Sequence, residues 1–269
     1  MHADAAPAAT PAAPPEAVPE VAIAIRGLAI GYGERAIIEG IDLDVHAGEI
    51  LFVGGPSGCG KTTLLSVLTT LRRPLAGSVT IGGTDIATAD EEALQRVRRR
   101  FGVMYQLGAL FGGKSLLENV RLPLEEFSDL PKDAMDDVAR AKLGLVGLGA
   151  HAHKLPSEIS GGMQKRAAIA RALALDPPII FLDEPSAGLD PITSADLDDA
   201  IVALNRMLGT TFVIISHELA SIFAIGQRFA MLDGARKALV ALGAPADLRD
   251  HSTDTTVRRF LNRTPSSET

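Results

Sequence analysis

The 269-residue sequence has one cysteine, Cys59, which excludes an intramolecular disulfide and a cysteine-rich zinc site and fits a reducing compartment. No apolar run approaches the ~20 residues needed to span a bilayer. The opening MHADAAPAATPAAPPEAVPE has neither a basic start nor a leucine- or valine-rich stretch, so it does not form a secretory signal. Excess positive charge is missing too. A net charge of −7 and a pI near 5.4 imply no bulk attraction to nucleic acid or anionic lipid. Met1 to Glu20 has almost nothing to bury and is expected to form a disordered Ala/Pro tail. Residues 251–269, which end in RTPSSET, are read as a second tail.

Between these tails the pattern is that of a packed α/β domain. VAIAIRGLAIGYG and AIIEGIDLDVHAGE read as strands, and ILFVGG as a short buried one. KTTLLSVLTTLRR has helical spacing, with Leu64, Leu65, Leu68 and Leu71 on one face. GSVTIGGTDI reads as a hairpin, Asp90 to Arg100 as a charged helix, and FGVMYQ as a strand. PPIIFLDEP and TTFVIISH are buried strands on either side of a helix from Asp196 to Leu208. Strands alternating with helices imply a parallel sheet. The mostly helical stretch from about Leu107 to Ser160 interrupts the alternation and is expected to be an inserted subdomain.

Three motifs carry chemistry. Gly55-Pro56-Ser57-Gly58-Cys59-Gly60-Lys61-Thr62 matches G-x-x-x-x-G-K-[ST] between a buried strand and a helix, the context of a phosphate-binding loop. Its glycines let successive backbone N–H groups converge on phosphate oxygens, and the helix dipole adds to the attraction. Lys61 would reach the β- and γ-phosphates of ATP, and Thr62 would ligate Mg²⁺. Second, Asp183 ends a buried strand, where it would hold Mg²⁺, while Glu184 can polarise an attacking water. Third, Ser160-Gly161-Gly162 caps a helix whose start is suited to a second anion contact. Alone, each has a plainer reading: a Gly-rich turn, two solvated acids, a simple N-cap.

The order of these motifs resembles that of the ABC-transporter ATPases from about Val21 to Leu248. A phosphate loop precedes Gln106, then come SGGMQKR, FLDEP, AGLDP and a lone His217 after a strand. The resemblance implies an α/β P-loop NTPase core with an antiparallel β-subdomain and the inserted helical subdomain, together spanning residues 21–250. It implies that Tyr32 stacks on adenine and that Gln106 sits near the Mg²⁺ and the attacking water. Thr62, Gln106 and Asp183 would then form the metal site. The loop from Gly55 to Thr63, Thr63 included, would hold the phosphates. Ser160, Gly161 and Gly162 would contact the γ-phosphate of a second copy, Asp190 would line the interface between copies, and His217 would hold the γ-phosphate. Lys61, Gln106, Glu184 and His217 would be the catalytic set. Met163 and the Ala-Gly-Leu-Asp run depart from the commonest family pattern without removing a catalytic group.

Within that superfamily, MYQLGALFGGKSLLENVRLPL and LPSEISGGMQKRAAIARALALDPPIIFLDEPSAGLDPITS look most similar to the ATPases of Mce/Mla-type lipid transporters. That likeness implies work at the cytoplasmic face of the inner membrane. It implies an integral membrane permease, an Mce-domain substrate-binding protein and a lipid substrate as well. The rivals are an amino-acid importer or exporter ATPase, a soluble ABC ATPase, and an ATP-binding subunit without turnover. The surface from Leu107 to Phe127 is expected to dock the permease.

Other features have simpler readings. Arg96 and Arg98 to Arg100 read as a solvated helix face, His151 and His153 as a solvated loop, and Asp136-Asp137 and Asp198-Asp199 as helix surface. Cys59 lies near a helix N-terminus, where a thiol pKa can fall.

Overall fold

The structure, a computed structural model, describes residues 20–106 and 108–264. The expected N-terminal tail falls outside these residues except for Glu20, as does the stretch from residue 265 onward. The chain begins with the hairpin β1 (Val21–Tyr32) and β2 (Arg35–His46), then β3 (Ile50–Gly54) and helix α1 (Lys61–Leu68). A second hairpin, β4 (Ala76–Ile81) with β5 (Thr84–Asp85), leads to α2 (Glu91–Arg98) and β6 (Phe101–Met104). Three helices follow: α3 (Leu116–Phe127), α4 (Lys132–Leu145) and α5 (Gly161–Ala172). Alternation then resumes through β7 (Ile179–Asp183), α6 (Pro191–Leu208), β8 (Thr211–Ile215), α7 (Leu219–Ile225) and β9 (Arg228–Asp233). The last elements are β10 (Ala238–Gly243), α8 (Pro245–His251) and α9 (Thr255–Asn262).

Two sheets result. One is antiparallel, in the order β2-β1-β4-β5; the other has the order β10-β9-β3-β8-β7-β6, parallel except for β10 at its edge. Strand alternation divides the interior. Ile50, Phe52, Ile180, Leu182, Phe212 and Ile214 face the core shared with α3 to α6. Leu51, Val53, Ile179, Phe181, Val213 and Ile215 face a second core filled by α1, α2 and the antiparallel sheet. Both faces of the parallel sheet are therefore covered, which is why its strands read as unbroken apolar runs.

Local signals set the helix limits. Ser115 and Glu118 form a reciprocal capping box at the start of α3. Asp190 accepts from the N–H groups of Ile192 and Thr193 with Pro191 in the first turn, so α6 starts five residues before the expected Asp196. Gly209, in the left-handed region, ends it.

Three expectations are corrected. Leu71 lies beyond the end of α1 and is exposed, so it is not on the buried helix face. Asp198 is buried on α6, and only Asp199 is surface. The stretch read as a C-terminal tail contains helix α9. Val257 and Leu261 are buried in the core, and Phe260 stacks on Phe229 with ring centroids 6.0 Å apart. Its apolar residues are too few to stand out from sequence, but their spacing of three and four puts them on one face.

Candidate functional site

The carboxyl ends of β3, β7 and β8 open onto one cleft of about 980 Å³. Gly55 to Gly58 and Gly60 to Thr63 form its floor, with Tyr32 on one side and Gln106, Asp183, Glu184 and His217 on the other. The loop folds this way because β3 meets its neighbours too closely for side chains. A Cβ on Gly55 would stand 2.2 Å from the Leu232 carbonyl oxygen, and its φ of +140° already excludes ordinary residues. Gly60, in the left-handed region, begins α1 with no side-chain cap, so the first N–H groups of that helix are free for a ligand.

Lys61 is curled back over the loop, with Nζ donating to the carbonyls of Gly55 (2.9 Å) and Pro56 (3.1 Å). Tyr32 has Arg72 over one ring face at 4.3 Å, and its hydroxyl accepts from Thr63 Oγ1 at 3.3 Å. An aromatic ring has two faces, so a base can stack on the other. Asp183 is 8% exposed. Burial and the neighbouring Glu184 hold its carboxyl above the usual range, against the pull of Lys165 and Lys61. A cation would relieve that cost. Mg²⁺ takes one or two protein oxygens and completes its shell with water and phosphate, so Thr62 and Asp183 fit it. No cluster of three or more His, Cys, Asp or Glu among the described residues offers a competing cage.

Glu184 sits at φ +47°, a left-handed conformation that costs free energy and marks a constrained site. Its Oε1 is 2.8 Å from His217 Nδ1, and its Oε2 accepts from Ser216 Oγ at 3.3 Å. His217 thus rests on Glu184, with Nε2 left for another contact.

Four expected site residues lie elsewhere. Ser160, Gly161, Gly162 and Asp190 do not line this cleft. Ser160 Oγ accepts from Met163 N–H at 3.3 Å and caps α5. A Cβ on Gly162 would come 2.3 Å from Thr193 Cγ2, so only glycine lets α5 pack this closely on α6. Thr193 is itself held by Asp190 at 2.6 Å. The start of α5 and the Asp190 loop are therefore packed as one unit.

The expectation of a lowered Cys59 pKa is corrected. The residue is 2% exposed and lines an adjoining cavity of about 600 Å³, which shares Tyr32, Ile37 and Pro56 to Gly58 with the cleft and also includes Asp233 to Ala235. Burial pushes its thiol up, outweighing Lys61. Burial thus defeats the helix N-terminal position.

Nothing in the sequence marked Phe260 and Arg263, which reach the cleft from α9 and its end. Nor did it mark Lys165, which is buried on α5 and faces Asp183 and Glu184.

A family model described as ABC transporter matches residues 38–187, more than half the chain. The chain belongs to the ABC transporter ATP-binding family. It is an ATPase subunit of that class, which binds and hydrolyses ATP. Among its relatives is the intermembrane phospholipid transport system ATP-binding protein MlaF of Escherichia coli strain K12. That protein is 39% identical over 240 residues, 89% of this chain and 88% of the relative. Another, from Mycobacterium leprae, is named probable ribonucleotide transport ATP-binding protein Mkl; it is 43% identical over 242 residues, 90% of this chain and 69% of the relative. A solved ATP-binding cassette dimer in a post-hydrolysis state with ADP and Pi superposes with a TM-score of 0.73 at 29% identity. The match covers 82% of this chain and 98% of that one. No helix among the described residues is long and apolar enough to cross a membrane.

Proposed function

We propose that two copies of this chain hydrolyse MgATP at two composite sites and so drive a separate membrane permease that moves phospholipid or a related lipid. The observation that carries the two-copy reading is the split of the site. Lys61, Gln106, Asp183, Glu184 and His217 share one cleft, while Ser160, Gly161 and Gly162 do not line it. In this reading a glycine-rich helix start outside the cleft is completed by the nucleotide of a second copy, as the dimeric cassette structures support.

Lys61 leaves the loop carbonyls for the β- and γ-phosphates, and the free N–H groups of the loop and α1 hold the same oxygens. Thr62 and Asp183 would hold Mg²⁺, with Gln106 beside it, and the ion would supply neutralisation of charge on the phosphates. Glu184 accepts the proton of the attacking water on a lone pair that its contacts with His217 and Ser216 leave unused. His217, oriented through Nδ1 on Glu184, presents Nε2 to the γ-phosphate. Tyr32 takes adenine on its open face. Most of the rate comes from positioning and charge stabilisation.

The lipid reading is supported by similarity to MlaF over nearly nine-tenths of both chains. In this reading the chain docks on the cytoplasmic side of the inner membrane, on a permease that works with an Mce-domain substrate-binding protein. The docking surface in this reading is Leu107 to Phe127; Leu107 lies outside the described residues, and Phe111 stands exposed. A ribonucleotide substrate is the second reading, favoured by the resemblance to Mkl. Purification with the native membrane partner decides between them: co-purifying lipid supports the first, and bound nucleotide outside the ATPase sites supports the second.

Glu184→Gln tests the mechanism. Hydrolysis should fall ~10²-fold or more while ATP binding survives, so the variant should accumulate as an ATP-bound dimer. Near wild-type turnover would remove Glu184 from this role.

A further inference from the structure

Helix α5 runs back from the Ser160 platform beneath the loop that carries Gln106, and three of its residues hold that loop. Lys165 donates Nζ to the Gln106 carbonyl. Ala168 Cβ packs against Gly108, where an added Cβ would stand only 3.4 Å away. Arg171 donates to the carbonyls of Ala109 (2.7 Å) and Gly108 (2.8 Å). Positions 165, 168 and 171 repeat every three residues, so they share one helix stripe.

The loop does not hold this shape cheaply. Gly108 and Ala109 have φ of +71° and +48°, and for Ala109 that is strained. Its far end is tied down by the fully buried Asn119, which bonds Phe111 N–H (2.7 Å) and O (3.1 Å), Lys114 O (3.0 Å) and Ser115 O (3.0 Å). Both cations sit where charge is costly. Burial lowers the pKa of Lys165, against Asp183 and Glu184, and burial lowers that of Arg171. An apolar side chain would pack α5 without that cost.

We propose that Lys165 and Arg171 form a clamp through which α5 positions Gln106, so that engagement of the Ser160 platform at one composite site is transmitted to Gln106 at the other. This rests on the two-copy reading above. Each chain offers Gln106 to its own nucleotide and Ser160 to the nucleotide of its partner. A single helix of ~18 Å joins the two contacts, at 1.5 Å rise for each of its 12 residues. Lys165 and Arg171 are positioning residues: they grip carbonyls of the loop and thereby fix where the Gln106 side chain points.

The test uses the full chain in steady-state ATP hydrolysis across ATP concentration, with equilibrium ATP affinity and Tm measured alongside. Wild type should show a Hill coefficient above 1, approaching the number of sites. Lys165→Met and Arg171→Gln should lower it toward 1 and reduce kcat about tenfold, the scale of a slightly misplaced group, with ATP affinity and Tm nearly unchanged. Lys165→Arg, which still donates, should restore both. Lys165→Met retaining wild-type kcat and Hill coefficient would overturn the clamp. So would losses confined to Lys165→Met with a well-folded Arg171→Gln unaffected, because the effect would then lie in the charge facing Asp183 and Glu184. Parallel losses of affinity and Tm at an unchanged Hill coefficient would make the residues merely structural. A wild type that hydrolyses ATP without cooperativity or dimer would overturn the two-copy reading and the clamp together. A cooperative wild type with cooperative variants overturns the clamp alone.

Discussion

The chain has two glycine-rich helix starts, and they are built differently. α1 begins at Gly60 without a side-chain cap, at the floor of a cleft that also holds Asp183 and Glu184. α5 begins at Ser160, capped by its hydroxyl, away from that cleft and packed on Thr193. The first leaves its backbone donors for a ligand bound within its own chain. The second is already stable alone, so a ligand there adds a contact rather than completing the fold. In the proposed two-copy arrangement, binding of ATP and response to a neighbour's ATP would thereby be separated within one polypeptide.

The sharpest break of that comparison is a pair of glycine substitutions. In Gly55→Ala the new methyl meets a backbone carbonyl at 2.2 Å on a residue with φ +140°. Backbone cannot yield as a side chain can, so the phosphate loop must open. ATP affinity should fall by ~10² or more, given several kcal/mol of lost contacts. In Gly162→Ala the methyl meets the Thr193 methyl at 2.3 Å, so either Thr193 gives up its hydrogen bond to Asp190 and rotates or α5 lifts from α6. ATP affinity of the separate chain should be unchanged, while hydrolysis falls ~10-fold or more by misplacement of the platform. Equilibrium binding and turnover assays on both variants check this; a Gly162→Ala chain that loses ATP affinity would erase the distinction.

The smaller effects belong to α9, which closes the first site but not the second. Phe260 stacks on Phe229, and Phe229 in turn lies against Gly54. Phe260→Ala should cost ~2–3 kcal/mol, below the usual 3–5 because the ring is only half-buried, and lower Tm by ~4–10 °C. Arg263→Ala should leave Tm alone and weaken ATP binding severalfold at low salt, losing a cation at the cleft mouth. Titration of ATP at two salt concentrations reads this directly.

The first site was legible in the sequence because its chemistry is local. Gly55 to Thr63 are contiguous, and Asp183-Glu184 end a run apolar enough to be a buried strand. Residues that act through the fold were not legible. Lys165 looked like one more cation in a helix, and its burial depends on a loop some sixty positions earlier. Asp198 sits beside the exposed Asp199 and is separated from it only by which way α6 faces. The two residues at the cleft from α9 depend on where the chain returns, which no spacing within TTVRRFLN reveals. Cys59 failed for a physical reason: proximity to a helix start lowers a thiol pKa, but Gly55 lets the loop fold tightly over it, and burial won.

The last and smallest effect compares two buried carboxyls, one on each side of that division. Asp183 belongs to the nucleotide cleft and Asp198 to α6, behind the Asp190 loop. Burial raises both, with Glu184 adding at Asp183, and with Asp199 and Glu218 adding at Asp198. A folded-state pKa above the unfolded value means the folded chain holds its proton more tightly. The stability gained is full below the unfolded pKa, near 4, and is lost as pH rises through the raised folded value. At pH 7 each carboxylate is therefore a cost. Asp198→Asn should raise Tm by about 2 °C at pH 7, roughly the effect of 1 kcal/mol or less in a chain of this size. The gain should vanish below about pH 4, where both states are protonated. Asp183→Asn should show the same ligand-free sign. MgATP then separates them: it should stabilise wild type and Asp198→Asn alike, and Asp183→Asn much less, because that variant has lost the charge that meets the cation. Thermal melts from about pH 3 to 8, with and without MgATP, carry the comparison; an Asp198→Asn chain that melts below wild type at pH 7 would mean that its carboxylate is held by contacts worth more than the burial costs.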